Sequence, residues 1–450
     1  MHRPVTAAAK LATTATALLL TPAALLAQDT FQAAPQGPFR LDEWLGRPAD
    51  VRFSGSERIR YEGLDGQFRA GPTRDVEDQV FSRLLLRADY TRDDWGVTVE
   101  GIDARAWGTK ADSFANTTTV NTFDFLQANV TWRPADGHSL TIGRYTMDIG
   151  SRRLSARNRY RNTINSFNGV RWDYRGEDGF EAGAFWNTPT VRRPGARAQL
   201  VDNEHELDTQ TTDFTFFGGH ATQRVDERAS AQVYVLGLSD HRDGRTSRDL
   251  TTAGFRYLLP AAPGRMFGET EVAYQFGGRG TADVSAYFVH GKIGRQFDVA
   301  MKPKLAFALD VASGNDADDP DWNRFDTLFG ARRWEYGPTG IYGAIGRRNI
   351  VSPELRVSFK PTDELTVMLA ARSLRLASVE DGWREAGDTT GTGGDVGDQY
   401  ECRVRWDVAP KSLRLEGGAA YFAGDNFRET STLGRRTDTS YFYFQTIWTF

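Results

Sequence analysis

Arginine dominates the stretch from Gly143 to Tyr174. There Arg144, Arg152, Arg153, Arg157, Arg159, Arg161 and Arg171 stand against only two counter-charges, Asp148 and Asp173. A planar guanidinium makes fixed, bidentate contacts with carboxylate or phosphate, which an ammonium does not. The preference runs through the whole chain: of 55 basic residues only seven are Lys, at positions 10, 110, 292, 302, 304, 360 and 411. A loop with this charge, folded into a water-filled lumen, would order anions, because low-dielectric walls focus its field. On an outer rim the same residues would instead meet lipopolysaccharide phosphates or acidic loops. The lumen placement is the expectation adopted.

Other chemistry is less well supported. Asn315 to Asp321 is rich in carboxylates that could hold calcium. It lacks the Gly at the sixth place and the Glu at the twelfth of an EF-hand loop, and reads as a solvated acidic turn. Gly391-Thr-Gly-Gly394 follows no strand-to-helix pattern and is a loop, not a phosphate cradle. His138, His205, His220, His241 and His290 are scattered. Asp240-His241 suggests a surface protease, and a Ser near His220 or His290 a lipase. Neither has the spacing that assembles nucleophile, base and orienting group. No metal or cofactor is implied. Nucleic-acid binding has no support beyond the Arg content, which solute or lipid anions explain better.

Such a loop needs a scaffold, and the sequence describes one. Val80, Ser82, Leu84, Leu86, Ala88 and Tyr90 alternate with Arg83, Arg87 and Asp89. Tyr400, Cys402, Val404 and Trp406 alternate with Glu401, Arg403, Arg405 and Asp407, and Val170, Trp172 and Tyr174 with Arg171, Asp173 and Arg175. Period two is the mark of a strand, and a charged inner face opposite an apolar outer one is the mark of a membrane barrel. Cys402 therefore reads as a lipid-facing residue. About eighteen such segments follow one another. Short turns such as Arg133–Gly137 and Lys360–Thr362 alternate with long connections such as 146–168, 188–211 and 313–350, the asymmetry of periplasmic turns and extracellular loops. The final strand carries Phe442, Phe444, Trp448 and Phe450 on one face and Tyr441, Tyr443 and Gln445 on the other. It is expected to pair with the strand near Phe53 and close the sheet.

Mean hydropathy is −0.50, and after residue 27 there is no long uncharged apolar stretch, so no helical span is predicted. Residues 1–27, with Arg3 and Lys10 before the apolar run Leu11–Ala27, read as a secretory signal peptide. Residues 28–50 then form a short periplasmic segment and 51–450 an all-β barrel of about 18 strands. The formal net charge of −4 becomes −6 without Arg3 and Lys10, and says little about partners. A lone cysteine excludes a disulfide framework.

Gly143-Arg144, Gly150-Ser-Arg-Arg-Leu154, Arg161-Asn162, Ser166-Phe-Asn-Gly-Val-Arg171 and Tyr174 resemble the signature of the alginate-export family of outer-membrane proteins. A second block, Ala312-Ser-Gly-Asn315, Phe325-Asp326-Thr-Leu328 and Pro361-Thr-Asp-Glu-Leu-Thr366, is similar to the family's acidic loop and later strand pair. The similarity runs from about Arg52 to Phe450. It implies an eighteen-stranded monomeric barrel in the bacterial outer membrane, and an Arg-lined pore like that through which the founding member exports alginate. Tyr145-Thr146 and Asn168 depart from the family's Gln-Glu and Asp, and no long periplasmic insertion is visible. The expected function is a channel for anionic or polyhydroxylated solutes, by polysaccharide export or porin-like diffusion. Its expected partners are the solute, outer-membrane lipid and lipopolysaccharide, and periplasmic export proteins. Expected pore-lining residues are Arg83, Arg87, Arg403, Arg405, Asp173, Asn162 and the seven loop arginines. The rivals are a barrel enzyme and a soluble periplasmic β-sheet binding protein.

Overall fold

A computed structural model describes residues 37–46, 50–337, 345–435 and 437–450. The expected signal peptide and most of the 28–50 segment lie outside the described residues. Wherever the sequence alternates, a strand forms. The first six are β1 (Val51–Asp65), β2 (Val76–Arg92), β3 (Trp95–Trp107), β4 (Asn121–Trp132), β5 (His138–Tyr145) and β6 (Phe167–Arg175). Next come β7 (Phe180–Pro189), β8 (Phe214–Arg224), β9 (Ser230–Asp240), β10 (Arg248–Leu259), β11 (Met266–Arg279) and β12 (Ala282–Gln296). The last are β13 (Lys304–Ala312), β14 (Ile350–Phe359), β15 (Leu365–Arg375), β16 (Asp395–Ala409), β17 (Leu413–Gly424) and β18 (Thr439–Thr449). Helix is confined to short pieces, including α1 (Leu41–Trp44), α2 (Arg197–Val201), α3 (Arg333–Tyr336) and α4 (Asn426–Thr430).

Each strand pairs antiparallel with its sequence neighbours, and β1 also pairs with β18, so the 18-stranded sheet is closed. The seam runs from Ser56 opposite Thr449 to Asp65 opposite Ser440. Closure satisfies every strand's edge, which a bilayer cannot do with water. On β18, Phe442, Phe444 and Trp448 are half-exposed outward while Tyr441 and Tyr443 are buried inward. Cys402 is exposed on the outer face, as its place beside Tyr400 and Val404 predicts.

The connections on one end of the barrel are all short. On the other end they are long, except 241–247 and the pair Gly280-Thr281. Two long ones matter most: L3 (146–166, after β5) and L7 (313–349, after β13). Both fold inward. Met147 and Leu154 of L3 and Phe325 of L7 join Phe167, Phe216 and Phe288 of the inner wall in one buried cluster, with Phe329 of L7 packed against it. Phe329 lies 4.8 Å from the ring of Phe216 and 5.2 Å from that of Phe167. The lumen is therefore not polar throughout. Where loops fill it, inward positions are aromatic, because burying an inward ring removes its apolar area from water.

Candidate functional site

L3 is positioned by its own charges. Arg157 donates to Glu100 of β3 at 2.6 and 3.1 Å, and to Thr146 at 2.8 Å. Arg153 reaches the opposite wall, pairing with Glu269 at 2.7 Å and Glu271 at 2.6 Å on β11, and with Glu335 of L7. Both ends of these pairs are buried, so the loop is pinned across the barrel. Buried guanidiniums need such partners, since an unpaired ion out of water is costly.

The backbone of L3 is held too. From β1, Arg58 donates to the carbonyls of Arg159, Tyr160 and Arg161 at 2.9 to 3.1 Å. Arg83 of β2 donates at 2.8 Å to the carbonyls of Arg159 and Arg161. Asn162 spends its amide on the carbonyls of Ser82, Arg105 and Thr119, and its side-chain oxygen accepts from Arg58. Tyr160 is sandwiched between the guanidiniums of Arg60 (4.4 Å) and Arg333 (4.2 Å).

L7 runs beside L3 as a parallel bridge. Phe329 donates to the Leu154 carbonyl (2.9 Å), Ala156 to Phe329 (3.2 Å) and Ala331 to Arg152 (3.0 Å). Gly330 permits this approach: a Cβ there would sit 1.7 Å from the Arg153 carbonyl oxygen. Glu335 accepts from Arg347 as well as Arg153, tying α3 to the plug.

Between these loops and the wall of β10 to β15 lies a cavity of about 340 Å³. Arg152, Arg153, Arg256, Lys292, Arg356 and Arg372 supply its positive charge. Glu269, Glu335 and Glu354 oppose them, and His290, bonded to Asp310 at 2.8 Å, completes the lining. Six cations stand against three carboxylates on the lining itself, while Glu271, Asp310 and Glu401 lie just behind it against Arg153, Arg372 and Arg356. Further along L3, Arg161 is crowded by Arg332 and Arg192. Burial first, then these two like charges, pull its pKa down to about 9, against the attraction of Glu385.

The sequence-predicted residues thus divide. Arg152, Arg153, Arg157 and Arg161 gather inside the barrel, while Arg159 is partly exposed, 3.9 Å from Asp148. Arg171 pairs inward with Asp173 at 2.7 Å and Arg87 with Asp89 at 2.7 Å. Arg405 pairs with Glu416 at 2.8 Å, with Arg403 on the same inward face. Arg144 corrects the reading. It shares the outward side of β5 with Ile142 and opposes the exposed Ala128, where it bonds Asp124 (3.2 Å), the Phe125 carbonyl (2.8 Å) and Asn168 (3.1 Å). Two residues from an outward Ile, its direction was readable from parity alone. Glu100, Glu269, Glu271, Glu335, Arg58, Arg256 and Arg372 were missed, since nothing local distinguishes them from other inward charges.

The histidines do not form a relay of the usual order. Ser239 and His241 both bond Asp249, at 2.7 and 3.0 Å, so the carboxylate stands between them and the Ser has no base from that His. Among the described residues no group of three metal-ligating side chains occurs.

A closed barrel with an aromatic, lipid-facing exterior and loops folded into a charged lumen defines a bacterial outer-membrane channel. The sequence profile of the alginate export family matches residues 49–438, and the chain belongs to that family. Solved structures share the fold. OpdO of Pseudomonas aeruginosa superposes with TM-score 0.58 at 14% identity, covering 89% of this chain and 97% of its own. A BenF-like porin from Pseudomonas fluorescens Pf-5 gives 0.62 at 12%, covering 89% and 99%. OccK2 (OpdF) of Pseudomonas aeruginosa, solved with glucuronate, gives 0.59 at 12%, covering 89% and 98%. Among curated proteins no sequence match was found.

Proposed function

We propose that this channel passes anionic, carboxylate-bearing solutes, with L3 and L7 forming the selective constriction. The observation that carries the reading is the cavity where six basic side chains outnumber three carboxylates. Arg152, Arg256 and Arg356, the less buried of these arginines, would exchange hydrogen bonds with a passing carboxylate. Arg153 and Arg157, matched by glutamates, would hold the loop, and Arg372, buried against Asp310 and Glu354, would hold the wall beside it. Arg161, Arg171, Arg83, Arg87, Arg403 and Arg405 would extend the positive field along the wall, with Asp173 and the other carboxylates keeping each site weak enough to release its solute. The structural neighbours support the class: OccK2 was solved with glucuronate and OpdK with vanillate, both carboxylates. The channel acts by passage and not by bond chemistry. Residues 1–27 would be a removed signal peptide, and the outer face would meet lipid and lipopolysaccharide. One barrel is a complete pore.

Liposome swelling with purified protein tests the reading. Glucuronate should enter faster than glucose, a neutral sugar of similar size. Equal rates, or a preference for glucose, would remove the carboxylate from the proposal.

A further inference from the structure

A second group of arginines gathers where the long loops meet, and none of them lines the cavity described above. Arg161 of L3 lies beside Arg332 of L7 and Arg192 of the loop after β7 (190–213). Glu385, in the loop after β15 (376–394), is the opposite charge there. Glu385 pairs with Arg332 and also draws Arg348 of L7 and Arg69 of the loop after β1 (66–75). All of these loops belong to the end of the barrel that carries the long connections.

The group is built into the plug. Asn165 donates to the carbonyls of Ala156 (2.9 Å) and Phe329 (3.1 Å), and its side-chain oxygen accepts from Arg192 at 2.9 Å. Gly346 lets the L7 backbone lie against Glu385, since a Cβ there would sit 2.3 Å from Oε1. Ala70 donates to the Ala386 carbonyl at 3.0 Å, joining loops 66–75 and 376–394.

Counter-charge is short. Asp208 draws Arg192 and Glu77 draws Arg69, while Asp124 behind Asp208 is taken by Arg144. Among the described residues, five cations therefore face three carboxylates, an excess of two positive charges. Arg161 and Arg348 make no side-chain hydrogen bond or ion pair among those residues, and the Nε of Arg192 is buried without a partner. Guanidiniums drawn partly out of water and left unpaired are costly unless a ligand meets them. Both Arg161 and Arg348 are partly exposed, so a solute can reach them.

We infer that this cluster is a binding site for a phosphate dianion, free or carried on a small solute, with Arg161 and Arg348 supplying the unspent N–H donors. A carboxylate brings one charge and two oxygens. A phosphate brings nearly two charges and three strong acceptor oxygens, which suit two forked guanidiniums with a further N–H beside them. The site goes beyond the carboxylate path through the cavity and does not depend on it. Lipid A phosphates share the chemistry, but Arg161 lies inside the barrel and the lipid lies outside.

Isothermal titration calorimetry of the purified, detergent-solubilised protein with inorganic phosphate tests it. At a pH where phosphate is the dianion, a single phosphate should bind per chain. Arg161→Gln should weaken binding at least about tenfold, the loss of one charge-assisted hydrogen bond, and adding Arg348→Gln should weaken it further. Neither side chain bonds within the fold, so both variants should keep the compact, heat-modifiable band. Arg245→Gln, exposed in the short connection 241–247, should bind as the parent does. Binding of phosphate in a channel that passes glucuronate no faster than glucose would support this site while removing the carboxylate path. No heat with phosphate in the parent, equal affinity in folded Arg161→Gln, the same loss in Arg245→Gln, or a heat with purified lipopolysaccharide that Arg161→Gln abolishes would overturn the proposal.

Discussion

Arg157 and Glu100 show what single residues do here. Their side chains are 7% and 0% exposed, and their contact anchors L3 to β3. Glu100→Gln would leave a buried guanidinium without its counter-charge, a loss of about 3–5 kcal/mol. The variant should unfold at lower temperature, read as earlier loss of the compact, heat-modifiable band on a gel; an unchanged transition would mean the pair holds nothing. Asp208, after β7, makes a pH prediction. Burial, then the neighbouring Asp124, pushes its pKa up to about 7, although it accepts from the Arg193 amide and Asn121. A carboxylate raised in the folded state binds its proton more tightly there than when unfolded. Stability at this site is therefore full below the ordinary value of 3.8 and falls as pH rises to about 7. Protease nicking of loop 190–213 should increase over that window, and Asp208→Asn should flatten the change. Nicking that does not vary with pH in the parent protein would contradict the assignment.

At the scale of elements, L3 and L7 act as one body. Their parallel bridge depends on Gly330, where any side chain meets the Arg153 carbonyl. Gly330→Val should part the loops and give larger, noisier single-channel conductance in planar bilayers. Conductance identical to the parent would show that L7 does not narrow the path. The strands themselves were legible because period-two alternation is strong wherever lipid lies on one side and charge on the other. The expected count of about eighteen matches the eighteen strands observed, from β1 at Val51 to β18 ending at Thr449. The loop packing was hidden for the opposite reason. Phe214 to Phe217 are apolar on both faces apart from Thr215, so alternation gives no sign that Phe216 points at Phe329 of L7. The ion pairs joining residue 153 to 269, 271 and 335 cross more than a hundred positions of sequence, and inward glutamates look alike until the barrel brings one opposite an arginine.

For the whole molecule, closure of β18 on β1 converts a repeating local pattern into a pore with two distinct surfaces. The outer one is largely apolar, with outward charges such as Asp249 and Asp398 near the loop ends of their strands, and the inner one is charged except where loops pack. The Arg-rich segment singled out by composition is the element that crosses the lumen, but its arginines do unequal work: some are matched by glutamates and fix the loop, while others line open space. The central claim is that this open space favours anions, and the reversal potential under a salt gradient reads it most directly. The parent channel should reverse at a potential of the sign set by anion permeation, and Arg152→Gln, Arg256→Gln and Arg356→Gln combined should move it towards the cation side. A reversal potential unmoved by all three substitutions would contradict the account.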